Sequence, residues 1–307
     1  MFPTPYRVST ITTTGSLGSN INLDELFKNI DIDDIGSKIE YVEYGKRKFD
    51  NSFCKGQAKK VIQLGKKSKR FDNQVTVLYK DDNENIYVSA KIFKNGNLQM
   101  TGIKDEQQGH IVMDKVHEII VKAYNKDKNV LYGNPIETLV PSNYSIRLIN
   151  SDFKMGFNIR RDLLFKIMIK EYENGCSYEP CIYPGVKIQY FYNELSPVKD
   201  GICRCEMPCI FRKKGDTNGC RKVTIAVFQS GSVIITGAQK LSQIDEVYSF
   251  ITRLLTKQED NIKKLILVNE DSMVNSISQD DSMSQSKKIM LNKNNIIYPK
   301  CLLSEKH

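Results

Sequence analysis

The sequence predicts an α+β fold made of two copies of one unit, each an antiparallel sheet with helices on one side. Three observations carry this. The chain repeats itself in ordered blocks. Its strands alternate so that one face is wholly apolar. Each unit closes on a long helix with an apolar stripe.

The repeat comes first, because it sets the frame for everything else. Residues 18–28 match residues 156–166, with Gly, Asn, Ile, Asp, Leu, Phe and Lys agreeing in place. Residues 36–41 match 185–190 through Gly, Lys, Ile and Tyr. Residues 88–96, continuing to Thr101-Gly102, match 223–231, continuing to Thr236-Gly237. The three blocks keep their order. They divide the chain into a first repeat at 1–143, a second at 144–265 and a tail at 266–307.

Each unit reads in the same order. A first strand is predicted at 8–13 and 146–151. A short helix follows, whose second copy carries Ile159, Leu163, Leu164, Ile167 and Met168 at helical spacing. The strand opened by Gly36 or Gly185 is next. An irregular basic stretch with an extra strand follows, at 74–80 and 208–213. Then a hairpin turns at Asn95-Gly96 or Ser230-Gly231, dipeptides suited to tight turns. The closing helix has its stripe at Ile111, Val112, Val116, Ile119 and Ile120. In the second copy the stripe is Leu241, Ile244, Val247, Tyr248, Ile251, Leu254 and Leu255.

Strand parity separates two faces. Val88, Ala90, Ile92, Leu98 and Met100 share one face, with Val223, Ile225, Val227, Val233 and Ile235 in the second copy. All are apolar, so this face packs on the helices. The other face holds Ser89, Lys91, Phe93, Asn97, Gln99 and Thr101, with Thr224, Ala226, Phe228, Ser232, Ile234 and Thr236. It is mostly uncharged and carries one phenylalanine per copy beside the turn. That symmetry points to a contact surface rather than to a plain solvated face.

These residues resemble the TATA-binding protein family over about 7–260. The segment Ser177-Tyr178-Glu179-Pro180-Cys181-Ile182-Tyr183-Pro184-Gly185 is similar to the family's S-Y-E-P-x-L-F-P-G. The hairpins Ile92-Phe93-Lys94-Asn95-Gly96 and Val227-Phe228-Gln229-Ser230-Gly231, each running on to Thr-Gly, are similar to its I-F-x-S-G…T-G. The Lys-, Asn- and Ile-rich style with long insertions resembles divergent copies from large DNA viruses. The resemblance implies a pseudo-twofold saddle whose concave sheet meets the DNA minor groove. It implies rings inserted between base pairs, a mode for which this family is itself a standard example.

On that resemblance Phe93 and Phe228 match the hairpin wedges, and Tyr183 stands where the second repeat has its other Phe. Repeat alignment places Asp34 at the fourth position; Lys69-Arg70-Phe71, similar to the family's K-R-F, is the alternative. Thr101 and Thr236 match floor positions, beside Ile234. Lys91, Lys104 and Arg147 are the expected backbone contacts on or near the floor. Lys38, Lys187 and the runs at 66–70 and 212–214 could add phosphate contacts. The family's central asparagine pair is not recovered. Glu179 matches a residue that meets transcription factor IIB. The partners implied are AT-rich double-stranded promoter DNA, a factor IIB-like protein and RNA polymerase. The place implied is a nucleus, or a cytoplasmic viral factory or virion. Asp34 and the missing asparagines motivate one alternative, a saddle that scaffolds the transcription machinery without bending DNA.

Charge and composition agree. Lys plus Arg exceeds Asp plus Glu by 45 to 36, and the tail is balanced, so all of the +9 lies in the repeats. A basic body suits nucleic acid or an acidic partner. No apolar run approaches the roughly 20 residues of a membrane span. Residues 1–6 lack the pattern of a secretory signal. Three histidines assemble no catalytic set, so no enzyme and no cofactor is expected. Cys203, Cys205, Cys209 and Cys220 form C-x-C-x3-C-x10-C, which could hold zinc. The missing C-x2-C pairs favour free thiols in a reducing compartment instead. Residues 271–286 read as a flexible linker, and 291–303 as a candidate docking segment.

Overall fold

The computed structural model describes residues 2–32, 38–45, 54–56, 73–80, 87–172, 175–207, 209 and 219–264. The first repeat contains β1 (Arg7–Ser16), α1 (Leu23–Asn29), β2 (Ile39–Tyr44), β3 (Cys54–Gly56), β4 (Gln74–Lys80), β5 (Tyr87–Phe93), β6 (Asn97–Ile103) and α2 (Glu106–Lys126). The second contains β7 (Ser142–Lys154), α3 (Arg161–Glu171), β8 (Cys176–Ser177), β9 (Val186–Tyr192), β10 (Arg221–Val227), β11 (Ser232–Ala238), α4 (Leu241–Lys257) and α5 (Glu259–Ile262). Among the described residues no helix is long and apolar enough to cross a membrane.

Among the described residues, eleven strands join one antiparallel sheet, in the order β3-β2-β4-β5-β6-β1-β7-β11-β10-β9-β8. The order is nearly a palindrome about the β1–β7 pair. Strands β4, β5, β6 and β1 correspond to β9, β10, β11 and β7. Alternation explains the layering. Val88, Ala90, Ile92, Leu98 and Met100 are buried, as are Val223, Ile225, Val227, Val233 and Ile235. They form one apolar cluster with Val116, Ile120, Ile244, Val247 and Ile251 of α2 and α4. The predicted α+β class and the apolar face are therefore observed.

Capping fixes the helix starts. Asp105 accepts the Gln108 N–H at 2.7 Å at the head of α2, and Asn22 does the same for Glu25 at 3.4 Å on α1. The predicted stripes shift in detail. Ile111 is 48% exposed, and Met113 and Ala123 face the core instead. Ile159 precedes α3 rather than lying in it, bridging to Lys263. Leu164 and Met168 bury that helix. The first strands are longer than predicted, because each pairs on both sides.

One block of the repeat proves local rather than structural. The 36–41 and 185–190 segments look alike, but β2 lies two strands from β5, whereas β9 lies directly beside β10. The strand equivalent to β9 is β4, since Val75 pairs with Ile92 as Val186 pairs with Val227. The likeness of a short Gly-x-Lys-Ile-x-Tyr stretch outweighed a long insertion in the sequence comparison. Asp34 and Phe71, the two candidates for the fourth ring position, both lie outside the described residues. So do the basic runs at 66–70 and 212–214, the second extra strand at 208–213 apart from Cys209, and the tail.

The hairpin turns show the pseudo-symmetry most tightly. The N–H of Leu17 donates to Gly96 O at 2.8 Å, and that of Met155 donates to Gly231 O at 2.9 Å. Both glycines have left-handed φ, +75° and +76°. A Cβ at Gly96 would fall 2.2 Å from Ser19 O, and one at Gly231 would fall 2.2 Å from Phe157 O. Gly231→Ala is expected to cost about 1–3 kcal/mol and to lower the thermal midpoint by several degrees. Gly133, also at positive φ but with nothing within 4 Å, should tolerate alanine better. Thermal unfolding of the two variants side by side checks this.

Candidate nucleic-acid interface

The open face of the sheet is built from the side chains that alternate away from the helices. Strand register lines them up in rows. In the second repeat one row is Gln189, Thr224, Thr236, Asn150 and Thr10. The corresponding row of the first repeat is Leu78, Ser89, Thr101, Thr12 and Leu148. Neither row holds a charge. Hydroxyl and amide groups brace each other: Thr236 Oγ1 donates to Asn150 Oδ1 at 2.5 Å, and Thr224 Oγ1 to Gln189 Oε1 at 3.2 Å.

Asn150 was not recovered from the sequence. The β1–β7 pairing shifts register at three points, so simple counting from a neighbouring strand fails there. The Gly18–Gly156 alignment, carried back six residues, places Asn150 opposite Thr12. The structure gives the same equivalence, because Thr12 pairs with Thr101 as Asn150 pairs with Thr236.

The next row outward carries the charge. In the first repeat it is Thr76, Lys91, Gln99 and Thr14. In the second it is Lys187, Ala226, Ile234 and Asp152. Asp152 is paired with Arg7 at 3.0 Å, which offsets the one carboxylate in these rows. Arg147 is exposed and donates from Nε to Thr14 Oγ1 at 2.8 Å. Lys104 directs its ammonium group at the Ser9 carbonyl, 2.5 Å away. The Arg221 guanidinium ties β10 to β11 and β7, with Nε on Gly237 O at 2.7 Å and a second nitrogen on Arg147 O at 3.4 Å. Burial draws its pKa below the ordinary arginine value.

Rings stand where the hairpins end. Phe228 follows β10 and meets Tyr183 edge to face, with centroids 5.8 Å apart. Gly185 makes room for the pair: a Cβ there would lie 2.9 Å from the Tyr183 ring and 3.2 Å from Phe228. Lys187 Nζ sits 4.3 Å from the Tyr183 ring centre, a cation–π contact. Phe93 ends β5 and borders a depression shared with Thr14, Asn97, Gln99 and Arg147. All three rings are partly exposed.

The turn that carries Tyr183 is tied down from α3. Glu179 O accepts the N–H groups of Ile182 and Tyr183 at 2.9 and 2.8 Å. Arg161 lies over the Tyr178 ring at 5.5 Å and donates to the Pro184 carbonyl and to Gln229 Oε1. Its tip is left outward, with Glu179 and Cys181 exposed and Ile182 81% exposed.

With this geometry in hand, comparison with known proteins is specific. A family model described as transcription factor TFIID, or TATA-binding protein, matches residues 143–258. The chain is 33% identical over 268 residues to a TATA-box-binding protein-like protein of Acanthamoeba polyphaga mimivirus. That match covers 85% of this chain and 68% of the viral protein. The chain belongs to the TATA-binding protein family. TATA-box-binding protein 2 of Entamoeba histolytica is 25% identical over 56% of this chain and 61% of its own length. The solved structure of Methanococcus jannaschii TBP shares 16% identity, covers 83% of this chain and 99% of its own, and gives a TM-score of 0.45. The viral style seen in the sequence is matched by the mimivirus relative.

Gly185 makes a steric demand on the ring pair itself. Gly185→Ala should open the Tyr183–Phe228 contact while leaving the sheet folded, because no positive φ is needed there. Ring-current shifts of the Phe228 protons, with the thermal midpoint as control, measure this. The expected outcome is lost upfield shifts with a stability loss of no more than about 1 kcal/mol.

Proposed function

We propose that this member of the TATA-binding protein family is a transcription initiation factor that grips double-stranded DNA through the minor groove and bends it. The observation that carries the reading is the ring pair Tyr183–Phe228 at the end of an uncharged, hydroxyl-lined strip. Inserted rings unstack base steps and bend the duplex towards the major groove. A strip of Thr, Ser, Asn and Gln supports close approach to the minor-groove edge, where A·T pairs offer only acceptors. Hydroxyls and amide N–H groups can donate to those acceptors, and AT-rich DNA is the substrate they fit best.

Roles then follow from position. Phe228, Tyr183 and Phe93 are the wedges. The topology favours Phe71 over Asp34 as the fourth, because the K-R-F motif precedes β4 in the chain as Tyr183 precedes β9. Thr101, Thr236, Asn150 and Ile234 contact base edges and sugars. Lys91, Lys187 and Arg147 contact phosphates at the margins, and Lys104 joins them by releasing the Ser9 carbonyl. Glu179 at the exposed tip is the contact for a factor IIB-like partner that brings RNA polymerase.

Two measurements test this. Phe93→Ala with Phe228→Ala should abolish the change in end-to-end energy transfer on an AT-rich duplex labelled at both ends. Each ring lost is expected to weaken binding by about 1–3 kcal/mol. Unchanged bending would remove the wedge assignment and favour a scaffold that does not bend DNA. Glu179→Arg should leave duplex bending intact and lower capture of a factor IIB-like protein on preformed complexes at least tenfold. Equal capture would place that partner elsewhere.

A further inference from the structure

We propose that Cys203, Cys205, Cys209 and Cys220 form a tetrathiolate zinc site that clips the long β9–β10 connection to the start of β10. Their four sulfur atoms lie within 4.8 Å of one another. Cys205 Sγ is 3.6 Å from Cys220 Sγ and 3.6 Å from Cys209 Sγ. A tetrahedral zinc with bonds of about 2.3 Å needs sulfur–sulfur edges of about 3.8 Å. The two 3.6 Å separations are close to that edge, and the four cysteines are free thiols.

The thiols are also dressed as ligands. The Cys209 N–H donates to Cys203 Sγ at 3.3 Å, and the Cys220 N–H donates to Cys209 Sγ at 3.3 Å. Backbone donors on sulfur favour the thiolate and fix its direction, as outer-shell partners do at metal sites. Cys205 and Cys209 are spaced C-x3-C, within the range that lets two neighbouring thiols hold one ion.

Hydrogen bonds and strand pairing hold the chain on both sides of the cluster. Ahead of it, Gly201 adopts φ +75° and lies against the Tyr190 ring, where a Cβ would fall 2.3 Å from the ring. Its carbonyl accepts the Phe191 N–H of β9 at 2.9 Å. Asp200 binds Arg204 at 2.6 Å and takes the Ile202 N–H at 3.0 Å, which sets the turn into Cys203. Behind it, Cys220 leads straight into Arg221, the first residue of β10, which pairs with Tyr192. Two sheet strands therefore hold the two ends of the cluster. Four half-buried thiols converging there are better explained by an ion than by packing. An all-sulfur tetrahedral set selects zinc or iron. We assign zinc because its single oxidation state suits a structural clip.

The test uses the full chain, purified without chelator under reducing conditions. Elemental analysis should find about one zinc per chain. After chelation, cobalt should restore the intense visible bands of tetrahedral tetrathiolate cobalt. Cys205→Ser with Cys209→Ser should lose the metal, while Cys54→Ser with Cys176→Ser should retain it. If the first variant fails to fold, cobalt titration of the chelated wild-type chain decides alone. A wild-type chain that binds neither zinc nor cobalt overturns the assignment. So does a coloured iron-containing protein, or mass spectra showing two disulfides among these four residues.

Discussion

The interaction on which the rest depends is the antiparallel pairing of β1 with β7. Among the described residues it is the one ladder that the two repeats share, and it joins their strands into one sheet of eleven. Without it each unit would expose a long strand edge, which is an aggregation hazard. With it, the helix-free faces of both units become one surface. The same pairing places Thr12 and Leu148 beside each other, and Thr10 and Asn150, at the centre of that surface. The rings at the two hairpins then stand on opposite sides of the centre. The N-terminal segment reinforces the joint. Tyr6 donates to Asp245 of α4 at 2.6 Å, and the Thr4 N–H donates to Lys154 O at 2.8 Å. The Tyr6 phenol is pushed up to about 12 by burial and by Asp245.

A surface of this kind separates two tasks that the chemistry would otherwise mix. The centre is uncharged and braced by side-chain hydrogen bonds, which suits contact with base edges and sugars. The charges lie one row out, at Lys91, Lys187 and Arg147, which suits phosphates. On the proposed function, phosphate contacts would set orientation and salt dependence, while the strip and the rings would decide where the duplex yields. The exposed tip at Glu179 and Ile182 is held in shape by Arg161 from behind.

Much of this was legible in the sequence, and for definite reasons. Strand alternation has a period of two, so Val88 to Met100 and Val223 to Ile235 announced their buried face directly. Glycines that must adopt positive φ, Gly96 and Gly231, marked the hairpins. The Ser177–Gly185 motif marked the turn that carries Tyr183. What stayed hidden depended on long-range register. Asn150 was obscured by the bulged β1–β7 ladder. The equivalence of β4 and β9 was obscured by an insertion and by a chance likeness at Gly36. The four cysteines are visible as a candidate set, but spacing alone does not reveal that their sulfur atoms converge.

The proposed function requires this face to meet DNA from the minor-groove side. Methylation interference on a bound AT-rich duplex tests it most directly, because adenine N3 lies in the minor groove and guanine N7 in the major groove. Methyl groups on adenine N3 should block binding over the contacted steps, and methyl groups on guanine N7 should not. Interference confined to guanine N7, or none at either position, would contradict it.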